Sequence, residues 1–126
     1  MATFMKPFAP QAYAVMRIIF GLLFMSHGLQ KIFGLFGGAP ADAPAFVIYV
    51  GGTIELATGV LIAIGLFTRW AAFLAAGEMA AAYWMAHGLH AFHPLVNKGE
   101  LAVLYCFAFL FIAAHGAGTW SADGEH

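Results

Sequence analysis

Charged side chains are scarce in this sequence: five Lys and Arg and six Asp and Glu among 126 residues, or 9%. Soluble domains carry about 25%, so a soluble fold with this composition would lack the polar groups to coat its surface. Cysteine is nearly absent. Cys106 stands alone, which excludes a disulfide within the chain and any Cys-x-x-Cys dithiol chemistry. A basic excess is also missing. The formal net charge is -1, so there is no electrostatic footprint for nucleic acid. Strict alternation of polar and apolar residues is absent too. Runs such as Phe107 to Ile112 are apolar throughout, which argues against a β-barrel.

What is present is apolar. Hydrophobic residues make up 63% of the chain, and the mean hydropathy is +0.85. They fall into four segments, at about 12–33, 45–67, 70–89 and 100–114. Each approaches the ~20 residues that cross a bilayer core as a helix, and open strands are excluded there because lipid cannot satisfy backbone groups. Glycine and proline punctuate the segments: Gly34, Gly37, Gly38 and Pro40 after the first, Gly65 after the second. The Thr68-Arg69 junction is tight enough to force the second and third segments into a hairpin. The pattern predicts one domain over 1–126, an all-α integral membrane four-helix bundle with short loops and both termini on the same side. Lys6 precedes Pro7 and Pro10, and the apolar run that follows is too long for a signal h-region, so the first span is expected to be retained. The terminal side carries Lys6, Arg17 and Arg69 against Lys31 and Lys98 on the other, which favours cytoplasmic termini.

Ionisable residues within such spans are costly, and by default they are functional hypotheses. In the first span Arg17, His27, Gln30 and Lys31 share one helical stripe with Tyr13, Phe20 and Phe24. Glu55 and Glu78 lie near the middle of the second and third spans, and Glu55 shares its stripe with Gly51, Thr58, Gly59 and Ile62. One reading is structural: Arg17 paired with Glu55 or Glu78 fixes helix register. The other is a ligand-binding or proton-handling site, with His27, Gln30, Lys31 and Glu55 binding the ligand and Glu55, Glu78 or His27 as catalytic candidates. The histidines of the third connection offer a weaker alternative. His87 and His90, with Glu100, have spacings a metal site can use, although a solvated loop is the simpler reading. His27 and His87 fall at similar depths, as a bis-histidine haem requires; no other feature favours haem. Some of the aromatic side chains suit a slot for a flat apolar ligand such as a quinone.

Three stretches together resemble the DoxX family. The first is Arg17 to Gly34, with Ser26-His27-Gly28 and Gln30-Lys31 inside it, followed by Gly37-Gly38. The second is Glu55 to Gly59 with Ile64 to Arg69, and the third runs from His87 through Pro94 and Asn97 to Gly99-Glu100. The resemblance spans about residues 12–118. It departs from the family pattern at Lys98, where members often carry a second glycine. It implies a bacterial inner-membrane protein of four helices, similar to membrane subunits of quinone-linked oxidoreductases or to membrane partners in thiol and oxidative-stress handling. A redox protein partner or a homo-oligomer would then be expected, with catalysis at most shared. A non-enzymatic small-molecule binder or scaffold is the alternative.

Overall fold

The computed structural model of the chain describes residues 3–39, 42–85, 93–94 and 99–124. Four helices are found among them, and no strand: α1 (Ala9–Phe33), α2 (Gly52–Ile64), α3 (Thr68–Tyr83) and α4 (Glu100–His115). The all-helical expectation therefore holds. A 3₁₀ turn at Lys6–Phe8 leads into α1, and a π-helical turn at Val47–Gly51 leads into α2. Lys6–Phe33 and Val47–Ile64 are each long and apolar enough to cross a membrane, and Glu100–His115 is a shorter apolar helix.

Local chemistry sets the helix ends. Pro10 occupies the first turn of α1, where a missing N–H costs nothing. Gly34 closes α1 in the left-handed region at φ 70°. At the end of α2, Gly65 (φ 74°) donates its N–H to Ile62, and Leu66 donates to Leu61 at 2.9 Å. That is a Schellman cap, and it turns the chain directly into α3.

Helices α1 and α2 run antiparallel with their backbones in contact. A methyl group added at Gly28 would lie 2.5 Å from the Leu56 nitrogen and 2.7 Å from the Gly52 oxygen. One added at Gly21 would lie 2.5 Å from the Ala63 nitrogen. Gly59 returns the contact from α2, fitting against the Met25 backbone. Small residues permit this approach, which in lipid replaces the missing hydrophobic drive between helices. Helix α3 presents Ala71, Ala72, Ala75, Ala76 and Met79 to the core. Across the centre, α1 meets α4 through larger groups: the Phe24 and Phe109 rings are 4.7 Å apart, and Tyr105 stacks on Phe109 at 11°.

Outward faces are apolar on every helix. Leu22 and Leu23 on α1, Val60 and Ile64 on α2, Phe73 and Leu74 on α3, and Phe107 and Phe111 on α4 are all exposed. Lipid is the solvent that accepts such faces without penalty. Exposed Phe67, Trp70 and Trp120 gather at the end where α2 turns into α3, as side chains of a membrane–water interface do.

Candidate functional site

The antiparallel pairing of α1 and α2 brings the last turn of α1 beside the first turn of α2. Lys31 Nζ meets Glu55 Oε1 at 2.5 Å, and this is the one ion pair found between described side chains. The Glu55 side chain is 1% exposed and that of Lys31 18%. Gly52 gives the lysine its path, because a methyl group there would lie 3.0 Å from Lys31 Cβ. Glu78 approaches from α3. A methyl group at Gly51 would lie 3.7 Å from Oε2 of Glu55 and 3.7 Å from Oε2 of Glu78, so both carboxylates border one small space. Glu78 Oε1 is buried, with no hydrogen-bond partner among the described residues.

His27, one turn before Lys31, lies edge-on to the Tyr105 ring, with centroids 5.7 Å apart and planes at 90°. Tyr105 is 5% exposed. The sequence reading did not single out Tyr105. Its only signal was its place on one face of α4 with Phe109 and Ile112, which is an ordinary core pattern. Gln30 is turned away from the cluster. Its amide donates to the Phe36 carbonyl at 3.1 Å and ties the loop after α1 to the helix.

The expected pairing of Arg17 with Glu55 or Glu78 is corrected by the structure. Fourteen residues separate Arg17 from Lys31 along α1, roughly 21 Å by helical rise. In an antiparallel pair that places Arg17 at the far end of α2 from Glu55. The guanidinium, fully buried, donates instead to the Ala117 carbonyl at 3.0 Å and the Trp120 carbonyl at 2.8 Å. Tyr13 adds a 2.6 Å hydrogen bond to Gly116, and Arg69 donates to Ala113, Ala114 and His115. The segment after α4 is thereby strapped across the end of the bundle.

The strap finishes at Asp123. Its backbone donates to Gly65 at 2.8 Å, and its carboxylate accepts from the Phe67 and Thr68 N–H groups and the Thr68 hydroxyl. It thus caps α3, whose own preceding residue Phe67 provides no side-chain cap. The Thr68 backbone bond holds the Asp123 carboxyl below its ordinary range, with the Phe67 and Thr68 hydroxyl bonds adding to it and some desolvation opposing. A depressed carboxylate contributes stability above its unfolded pKa and loses it as pH falls. Asp123→Ala is expected to lower stability by about 1 kcal/mol at pH 7, the usual worth of a cap. The gap between the variant and the parent should close below about pH 4, as read by thermal unfolding in detergent across pH.

Of the weak metal candidates, His87 and His90 lie outside the described residues, so the metal set and the His27–His87 haem pair are not described. Glu100 is exposed at the first turn of α4. No metal-holding group of three or more His, Cys, Asp or Glu occurs among the described residues. Two cavities are described, and neither is walled by Lys31, Glu55 or Glu78. One of about 300 Å³ lies between α3 and α4, bounded by Met79, Tyr83, Trp84, Cys106 and Phe107. The other, about 400 Å³, lies beside Tyr13 and His115 near the strap.

Several known proteins resemble this chain in sequence. The DoxX family profile matches residues 12–88. An uncharacterised protein of Haemophilus influenzae is 35% identical over 128 residues, covering 96% of this chain and 95% of its own. An uncharacterised membrane protein of Mycobacterium tuberculosis is 25% identical, covering 90% of this chain and 80% of its own. A shorter match, 41% identical over 59 residues and 44% of each chain, is to a Bacillus subtilis protein named "Putative oxidoreductase CatD". No solved structure matches the chain. With the family profile covering more than half of its length and a full-length relative at 35% identity, the chain belongs to the DoxX family of membrane proteins.

Proposed function

We propose that this protein is a four-span component of a bacterial inner-membrane oxidoreductase system, linked to quinone and working with a redox partner. The observation that carries the reading is the buried ionic cluster of Lys31, Glu55 and Glu78, with His27 and Tyr105 beside it. Ionised groups inside a membrane bundle mark ligand or proton sites. Lys31 and His27 are hydrogen-bond donors suited to a quinone oxygen. The α3–α4 cavity, which His27 and Lys31 do not line, offers a separate apolar space beginning at Met79, the neighbour of Glu78. The oxidoreductase name of the Bacillus subtilis relative supports the redox class. Cys106 alone provides no dithiol, so electrons would come from a partner.

Titration of the purified protein in detergent with a short-chain ubiquinone analogue tests this. Saturable binding is expected, weakened about tenfold or more in His27→Ala and Lys31→Met, since a hydrogen bond involving a charged group contributes about 1.5–3 kcal/mol. Absence of saturable binding, or equal binding by both variants, refutes the reading.

A second reading is favoured by one feature. The Lys31–Glu55 pair sits directly beside the Gly28–Gly52 backbone contact, where it would fix the register of α1 on α2. In that case the chain is a non-enzymatic binder or scaffold, and reversible crosslinking in membranes would recover a partner or a homo-oligomer with no quinone dependence.

A further inference from the structure

The cluster holds two carboxyl groups and one ammonium. Glu55 is buried and accepts from Lys31 on Oε1, which leaves its Oε2 outside that ion pair. That oxygen faces the space beside Gly51, and Glu78 Oε2 borders the same space from α3. The two carboxyl groups are close enough for one to hydrogen-bond the other, and Glu78 Oε1 is buried without a partner. A hydrogen bond between two carboxyl groups exists only when one of them keeps its proton. Two ionised carboxylates side by side in a low dielectric repel, as in a carboxylate dyad that shares a proton. Lys31 balances one negative charge and leaves none for the second. The other titratable groups facing the pair are His27 from α1 and Tyr105 from α4.

We propose that Glu55 and Glu78 form a proton-binding site inside the bundle, holding one exchangeable proton between them while Lys31 balances the remaining charge. The two carboxyl groups flank Gly51, where a methyl group would touch both at an ordinary contact distance of 3.7 Å. The site goes beyond the quinone reading and holds whether or not a quinone binds.

Infrared spectroscopy of the whole chain in dodecyl maltoside, which has no carbonyl of its own, tests the proposal without any quinone. At pH 7 the wild type is expected to show one C=O stretch of a neutral carboxylic acid that shifts down in heavy water. Glu78→Gln and Glu55→Gln should each lose the band, since the remaining carboxylate pairs with Lys31. Lys31→Met should roughly double it, and Glu100→Gln, at an exposed acid, should leave it unchanged. A wild type with no exchangeable band overturns the proposal, even if every variant fails to fold. A band that persists unchanged in both Gln variants overturns it as well. Failure of quinone binding with the band intact removes only the quinone reading.

Discussion

Gly59→Leu is expected to prevent assembly of the bundle, with loss of a discrete monodisperse species in detergent and of cooperative thermal unfolding. The Gly59 position presses against the Met25 backbone, and Gly21 and Gly28 make matching contacts from α1. A side chain at any of these points meets backbone, which has no rotamer by which to yield. Overpacking a core with an extra methylene costs about 1–3 kcal/mol, and a whole leucine between two helix backbones costs more. Gly28→Ala is the graded version, with a methyl group 2.5 Å from the Leu56 nitrogen. It should destabilise by about 3 kcal/mol, at the upper end of that range. Gly77 is the control. It lies on α3 with open space around it, so Gly77→Ala should raise stability by up to about 1 kcal/mol through helix propensity alone. Equal effects at positions 28 and 77 would show that the α1–α2 contact is not what holds the helices.

Removal of the ammonium should have the second large effect, and an asymmetric one. In Lys31→Met the buried Glu55 loses its partner and must take up a proton from neutral water. Breaking a buried pair in this way costs about 3–5 kcal/mol. The penalty should shrink as pH falls, because the proton that neutralises the unpaired acid is then supplied at higher activity. Glu55→Gln should cost much less, because Glu78 borders the same space and can serve Lys31 in its place. The double variant Lys31→Met with Glu55→Gln should recover most of the loss at pH 7. Chemical unfolding followed by tryptophan fluorescence at several pH values reads all three. A Lys31→Met penalty independent of pH would mean that the lysine contributes packing and not charge.

Both sets of residues were partly legible in the sequence. The stripe through Glu55, Thr58, Gly59 and Ile62 was visible because helical spacing puts those residues on one face, and they are the buried face of α2. The turn from α2 into α3 was visible because Gly65 is followed three residues later by Thr68 and Arg69. The partner of Glu55 was not. Lys31 and Arg17 lie on the same polar stripe of α1, and only the antiparallel register decides which of them reaches the glutamate. The partners of Arg17 left no trace at all, being backbone carbonyls in a segment that reads as an unremarkable polar tail. The same holds for Asp123, whose capping role depends on bonds to Phe67 and Thr68, more than fifty residues earlier. Tyr105 escaped notice because an aromatic in an apolar helix is nearly always core, and this one is core as well as neighbour to His27.

The strap also bears on how the chain is made. Arg17 lies in α1, which leaves the ribosome before α2, α3 and α4, yet the carbonyls that receive its guanidinium belong to residues 117 and 120, one hundred positions and more downstream. At about 5–20 residues per second, that guanidinium waits on the order of 5–20 s for its permanent acceptors. Until then that charge lacks the two carbonyls that receive it in the finished fold. Closure of the bundle therefore waits for residues 117–120, and a ribosome stalled before Ala117 would leave all four helices without that contact.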